Sequence, residues 1–213
     1  MTWLLNNHEA VLHHLVWHVL LAIPPIALSL LIATPIGWVV HRRRVLNHTV
    51  TTGLSLLYAI PSLPLFIILP MIIGVGLRSP VNVIIALTLY GLALMIRSAS
   101  EAFGAVDTST QDAAVATGHD RAQQFWSVQL PLAGPALLAG LRVVAVSTVS
   151  LVTVGGVLGI AGLGRLFVDG FQRGISGEIL TGVVLTLIVA SVFDALLVLG
   201  GRLLMPWERG ISS

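Results

Sequence analysis

Long stretches without a charged residue limit what this chain can fold into more than any other feature. Six such stretches cover residues 10–41, 45–77, 79–96, 122–141, 143–164 and 179–193. A helix needs about 20 apolar residues to cross the hydrocarbon core of a bilayer. The 213 residues are 56% hydrophobic and 9% charged, and a soluble fold of this size leaves too much surface exposed to hide so much apolar area. The sequence therefore predicts a multi-pass membrane protein.

Five transmembrane helices are predicted, near 16–40, 52–76, 80–99, 133–158 and 178–203. The 122–141 stretch is not counted separately, because it opens with polar residues and is divided by Pro131 and Pro135. No internal repeat or low-complexity tail is found. We therefore expect one all-α domain over residues 1–213.

The arginines predict how the bundle is oriented in the membrane. Arg42, Arg43, Arg44, Arg97, Arg121, Arg202 and Arg209 fall on one side of the predicted spans, and Arg78, Arg165 and Arg173 fall on the other. The positive-inside rule makes the first side cytoplasmic. The N-terminus is then outside, and the C-terminus and residues 101–132 are in the cytoplasm. Nucleic acid is excluded as a partner, because the net charge is only +2 and no Lys is present.

A polar segment, "QDAAVATGHDRAQQFWSVQLPLAGP", interrupts the apolar chain from Gln111 to Pro135. Thr108 and Gln111 have the spacing of a capping box. In this motif a hydroxyl and an amide side chain three residues later each accept a hydrogen bond from the other residue's backbone N–H. Asp112 then lies in the first turn, where a carboxylate suits the positive helix end. Gly118 can end this helix, because glycine tolerates the left-handed conformation.

A second short helix is predicted directly after the first. Asp120 can cap it, with Gln123 as the partner three residues on. Pro131 is expected to end it, because the residue before a proline is disfavoured in the helical region. The segment thus reads as a compact knob of two short helices over residues 108–131. Either it docks in a groove of another protein, or it is an amphipathic surface loop without a partner.

At these residues the chain resembles the membrane subunits of ABC importers. The family signature is an acidic residue, Ala-Ala, a Gly after three more residues, and a proline-containing return. Asp112, Ala113, Ala114, Gly118, Pro131, Pro135 and Gly140 stand at the matching positions. The family usually has Glu first, and Asp112 keeps the charge while shortening the side chain. "AIPSLPLFIILP" (59–70) and "GIAGLGRLF" (159–167) look like the permeases that import glycine betaine, choline, carnitine or proline betaine.

The resemblance implies a type I ABC importer permease fold in the bacterial inner membrane. It makes the knob a coupling helix, docked on a separate cytoplasmic ATPase that binds ATP-Mg. The residues it assigns to this contact are Asp112, Ala113, Ala114, Gly118, His119 and Arg121, with Pro131, Pro135 and Gly140 in the return. It also implies an extracytoplasmic solute-binding protein and a second permease subunit, identical or related. The chain has no G-x-x-x-x-G-K-[ST] motif, so we expect it to bind no ATP and to be no enzyme.

Four residues are candidates for the substrate pathway. Pro61 and Ser62 are predicted to break the second span and to expose carbonyls and a hydroxyl, as in other transporters. A plain kink is about as well supported. Tyr58 and Tyr90 are aromatic candidates for holding a quaternary ammonium group, and core or lipid packing is the competing interpretation.

Other polar residues leave alternatives open. His13, His14 and His18 cluster in the first span, and their spacing favours a partner-facing helix over a metal site. Asp194 lies inside the last span, where it either pairs with Arg142 or Arg97 or lines the pathway. An ion-gradient-driven secondary transporter or channel for a small polar solute is the alternative function.

Overall fold

A computed structural model describes Trp3 and residues 7–207 of the chain. Its helices are α1 (His8–His41), α2 (Arg44–Ala59), α3 (Ser62–Ile73), α4 (Pro80–Gly104), α5 (Thr108–Ala116), α6 (Arg121–Gln123), a π-helical turn (Gln124–Gln129), α7 (Leu130–Val152), a 3-10 turn (Thr153–Leu158), α8 (Gly164–Arg173) and α9 (Ser176–Leu204). The predicted all-α fold is confirmed. Arg209, used above to orient the chain, lies outside the described residues.

Four helical stretches of the described chain are long and apolar enough to cross a membrane, and they are His8–His41, Pro80–Gly104, Arg121–Leu158 and Ser176–Leu204. A fifth span is counted if α2 and α3, which bend by 104° at their junction, are taken together. The five predicted spans therefore all have counterparts. The break predicted at Pro61 and Ser62 within this span is observed, rather than a plain kink. Pro61 biases the preceding residue toward extended backbone, and Ile60 has left the helix at ψ 126°.

The central element is α4, which begins at a Ser79 cap with Pro80 in its first turn. Its buried side packs against α1 and α7. A Cβ on Gly37 of α1 would lie 2.4 Å from the Cβ of Ala99, and one on Gly140 of α7 would lie 2.5 Å from the Cβ of Ser98. Because glycine has no Cβ, the backbones can approach this closely at both crossings, as they do at other contacts between membrane helices that carry small residues. Three helices thereby form a tight central layer.

The expectation that Pro131 ends the second short helix is wrong. The chain is helical from Arg121 to Leu158, over 38 residues, with Pro131 in the first turn of α7. A proline inside a helix lacks an amide hydrogen and crowds the carbonyl four residues earlier. The wider π-helical turn over Gln124–Gln129 precedes the proline, and such bulges are a recognised way to absorb a local break in the hydrogen-bond ladder.

Arginines from the two predicted groups lie at opposite ends of the described bundle. Arg42 follows the last residue of α1 and lies within electrostatic reach of Arg121, at the start of α6. Arg78 lies beside Gly159 at the other end, where the α7 run finishes. The knob therefore lies at the same end as Arg42 and Arg121, with Arg78 at the other end, as the sequence grouping predicts for these three arginines.

Candidate functional site

The first helix of the knob is capped by Asp107. Its carboxylate oxygen Oδ1 accepts a hydrogen bond from the Ser109 amide at 3.0 Å, and this bond lowers the pKa of the Asp107 carboxyl. The predicted capping box on Thr108 and Gln111 is wrong, because Thr108 is already helical. The side-chain amide of Gln111 donates instead to the carbonyl of Val106 at 3.1 Å. An Asp one residue earlier is an equally good cap.

The helix ends in a left-handed turn at Gly118, as expected. Gly118 has φ +86°, and its amide donates to the carbonyl of Val115 at 3.0 Å. The next amide, that of His119, donates to the carbonyl of Ala114 at 3.0 Å. These two bonds form a Schellman motif, which satisfies the last carbonyls of the helix. The tip of the knob is thus held by backbone bonds and by one glycine.

The predicted capping box of the second helix is confirmed. The Gln123 amide donates to Oδ1 of Asp120 at 2.8 Å, and the Asp120 amide donates to Oε1 of Gln123 at 2.9 Å. Gln124 adds a third tie by donating to the carbonyl of His119 at 2.9 Å. Both short helices therefore begin from fixed caps.

A wedge of aromatic rings anchors the knob to the membrane helices. The ring of Phe125 lies 5.1 Å from that of Trp38 in α1 and 5.9 Å from that of Phe103 in α4. The guanidinium of Arg42 lies 4.0 Å from the centre of the Trp38 ring. Edge-to-face ring contacts and cation–π contacts of this kind stabilise beyond the area they bury.

A hydrogen-bonded relay also joins the knob to α1. The indole nitrogen of Trp38 donates to the side-chain carbonyl of Gln129. The amide of Gln129 donates in turn to Oε1 of Gln111, at 3.1 Å. Gln129 is fully buried, so both bonds form in a low dielectric, where they are strong. This relay could not be predicted from the sequence, because its members are distant in the chain and no local pattern marks a glutamine as buried.

The outward face of the knob is formed by small and apolar residues. Asp112, Ala113, Gly118 and Arg121 are exposed, and His119 is half-buried. Val115 and Trp126 leave 58% and 66% of their surface exposed. Ala114 is only 7% exposed and packs inward. A protruding apolar surface with a polar rim is typical of a protein contact site.

The return residues lie in α7. Pro131 and Pro135 are half-buried in its first two turns. Gly140 is buried at the crossing with α4. They therefore shape the helix that leads from the knob into the membrane.

The four pathway candidates fall around the break between α2 and α3. The phenol of Tyr90 in α4 donates to the carbonyl of Ile60, which the break leaves without a helical partner. The rings of Tyr58 and Tyr90 meet edge to face at 5.7 Å. Tyr58 and Pro61 are exposed, Ser62 is half-buried, and Tyr90 is buried. The structure thus places Tyr58, Tyr90 and Pro61 around the carbonyl of Ile60.

Two further groups of polar residues inside the bundle have structural partners. His14 and His18 accept from the amides of Gly162 and Leu163, both at 3.4 Å, and so tie α1 to the turn before α8. No cluster of three metal-binding side chains occurs within Trp3 and residues 7–207. Arg142 forms a two-bond pair with Asp194, with nitrogen–oxygen distances of 2.6 and 2.8 Å. Of the two pairings considered for Asp194, the structure shows the one with Arg142.

A family model described as "Binding-protein-dependent transport system inner membrane component" matches residues 25–210. The chain belongs to this family. The permease is 28% identical to the glycine betaine/carnitine/choline transport system permease protein of Bacillus subtilis, over 99% of this chain and 88% of the relative. It is also 28% identical to the osmoprotectant import permease protein of Salmonella typhimurium, over 85% of this chain and 84% of the relative.

Among solved structures, the permease superimposes on a chain of the inward-facing MetNI methionine ABC transporter. The TM-score is 0.78 at 20% identity, and the match covers 98% of this chain and 99% of that chain. The predicted ABC importer permease fold is confirmed, and so is the resemblance to the osmoprotectant branch of these permeases. The chain is a multi-pass membrane protein.

Proposed function

We propose that the chain is the pore-forming subunit of an ATP-driven importer of osmoprotectants such as glycine betaine, choline, carnitine or proline betaine. ATP-Mg binds in a separate ATPase subunit, and this chain carries no cofactor. A solute-binding protein delivers the solute, and a second permease subunit, identical or related, completes the pore. The names of two relatives, a glycine betaine/carnitine/choline permease and an osmoprotectant import permease, support this substrate class.

The observation that carries the proposal is the construction of the knob. It protrudes at the arginine-rich end of the bundle and is capped at the start of both short helices. The relay through Trp38, Gln129 and Gln111 connects it to α1 and to the start of α7. A force applied to the knob by an ATPase is therefore passed directly to membrane helices.

We also propose an orientation, which rests on the positive-inside rule, and a domain layout. The arginine-rich end is placed in the cytoplasm, with the C-terminus inside and the N-terminus outside. Residues 1–213 form a single permease domain, and residues 108–131 are its coupling segment. Asp112, Ala113, Gly118, His119 and Arg121 contact the ATPase, whereas Ala114 supports the knob from inside.

The test is ATP-dependent uptake by a reconstituted complex of tagged permease with its ATPase and binding protein. Ala113→Arg adds a bulky charge to the exposed face of α5 and is expected to abolish both ATPase co-purification and uptake. Gln172→Arg adds the same side chain at an exposed position in α8, at the opposite end, and is expected to preserve both. Uptake by the permease alone under an ion gradient would instead support the secondary transporter.

A further inference from the structure

A polar cleft of about 280 Å³ lies between α2 and α4, near the end of the bundle that carries the knob. Asn47, Thr51 and Ser55 of α2 line it together with Arg97, Ser100 and Glu101 of α4. Four larger cavities of the described chain, of about 670, 540, 390 and 340 Å³, are lined mainly by apolar side chains. Polar groups concentrated in this way between two membrane helices mark a place where a polar solute can be held.

The α2 wall of the cleft presents hydrogen-bond acceptors. Thr51 Oγ1 donates to the carbonyl of Asn47 at 2.6 Å, and Ser55 Oγ donates to the carbonyl of Thr51 at 2.8 Å. Each hydroxyl proton is therefore already used by the helix itself. Residues four apart lie on one helix face, so the hydroxyl oxygens line the cleft as a short row of acceptors.

The α4 wall contains a buried hydroxyl that lacks a partner. Ser100 is 4% exposed, and its Oγ has no hydrogen-bond partner among the described residues. A buried polar group without a partner is destabilising, and each such group in a native structure calls for an explanation. Ser100 borders the cleft, but its Oγ is itself shielded, so this hydroxyl lies behind the surface that a bound molecule would contact.

The two charged residues of the cleft form a weak pair with each other. Arg97 Nε lies 3.1 Å from Glu101 Oε1, and the two side chains are 63% and 68% exposed. Exposed pairs of this kind contribute little to stability. Only one of the five guanidinium donors is used in this bond, so both charges are available to a ligand.

We propose that this cleft is a solute site of the permease and that it selects small zwitterions. The carboxylate of the solute binds the guanidinium of Arg97. Its cationic head lies against Glu101 and the hydroxyl oxygens of α2. A molecule carrying both charges satisfies Arg97 and Glu101 together, whereas a simple cation or anion satisfies one of these two residues and is repelled by the other. The proposal deepens the proposed function, on which it rests, by giving this chain its own substrate contacts.

The test uses the complete transporter in nanodiscs, with neither ATP nor binding protein present. Saturation-transfer NMR measures contact with three probes, which are glycine betaine, choline chloride and sodium acetate. Glycine betaine is expected to bind at least fivefold more tightly than either singly charged probe. Arg97→Gln and Glu101→Gln are each expected to weaken glycine betaine binding about tenfold, the usual effect of losing one charge-assisted bond. Arg97→Gln is also expected to remove the preference over choline.

His48→Ala is the matched control, since His48 is exposed on α2 beside Asn47 but does not line the cleft. Arg97→Lys keeps the charge and should retain most of the binding. Equal binding of the three probes, or equal effects of Arg97→Gln and His48→Ala, would overturn the proposal. ATP-driven uptake is measured on the same samples. Uptake without Arg97-dependent binding refutes the cleft alone, and Arg97-dependent binding without ATP-driven uptake refutes the proposed function alone.

Discussion

The indole N–H of Trp38 in α1 donates to the side-chain carbonyl of Gln129, 91 residues later in the chain. Gln129 is buried in the last position of the π-helical turn, where the knob joins α7. Its amide continues the relay to Gln111 in α5. One side chain therefore holds three helices in register at the root of the knob.

Replacing only Gln129 in the Trp38–Gln129 hydrogen bond should destabilise the protein more than replacing both partners. Gln129→Leu leaves the buried indole N–H without an acceptor, and we expect it to lower the free energy of unfolding by about 1–3 kcal/mol. Trp38→Phe removes the donor and retains an aromatic ring against Phe125. The double variant should recover part of the loss. Unfolding in mixed micelles measures all three, and purely additive losses would contradict a direct bond.

The tip of the knob should tolerate asparagine at position 118 better than alanine. Gly118 has φ +86°, and no atom lies within 4 Å of the point where a Cβ would stand, so conformation rather than space decides the outcome. Gly118→Ala is expected to cost about 1 kcal/mol in local stability, and Gly118→Asn less, because asparagine adopts the left-handed region more readily. Hydrogen exchange at the amides of Gly118 and His119 measures the difference.

The cap of α5 should weaken in acid. The hydrogen bond from the Ser109 backbone depresses the pKa of Asp107 in the folded state. The charged form then stabilises the helix at any pH above about 4, the ordinary carboxyl range, and this contribution is lost as the pH falls through the lower folded pKa. The protection of the α5 amides, taken as the intrinsic exchange rate at a given pH divided by the measured rate, should therefore fall at acidic pH. This loss of protection is the rise in relative exchange that reports the cap. Asp107→Asn retains a capping oxygen that does not titrate, and should show no such rise from this residue.

Removing the Tyr90 hydroxyl should loosen the junction between α2 and α3. Tyr90→Phe leaves the carbonyl of Ile60 without its donor and is expected to cost about 1 kcal/mol. Tyr58→Phe is the matched control, because it removes a phenol from the same ring pair without removing that bond. Limited proteolysis near residues 59–62 should distinguish the two, and equal cleavage would argue against the role of Tyr90.

The pair between Arg142 and Asp194 should tolerate exchange of its charges better than loss of one charge. Arg142→Leu leaves an unpaired carboxylate within a membrane-spanning helix, which is costly in hydrocarbon. The swap Arg142→Asp with Asp194→Arg restores one charge of each sign at the same crossing. We expect the single variant to lose most folded protein in size-exclusion chromatography and the swap to recover much of it.

Much of the fold could be predicted from the distribution of charged residues, because a membrane span requires a long apolar run. The ends were less predictable. Helix α1 begins at His8 rather than near residue 16, since the histidines of its first turns find partners in the turn before α8. Of the two capping boxes predicted from local spacing, the one at Asp120 and Gln123 is confirmed. The one at Thr108 and Gln111 is wrong, because the cap lies one residue earlier at Asp107.

The contacts that join the knob to the membrane helices could not be predicted, because the residues that make them are far apart in the sequence. Trp38 and Gln129 meet only because two membrane helices converge, and neither residue has a distinctive neighbourhood in the sequence. The failure at Pro131 has the same origin. The rule that a proline ends a helix is local, whereas the π-helical turn that accommodates it is held by ring contacts with α1 and α4.

The close crossings at Gly37 and Gly140 also limit how the molecule can move. The backbones of α1 and α7 each approach α4 with no side chain of their own in between, so sliding either helix along α4 would drive its backbone into the neighbouring helix. Packed interiors respond to such strain by keeping one arrangement rather than deforming continuously. We therefore expect these three helices to move as one rigid unit and the pore to open at the edges of that unit.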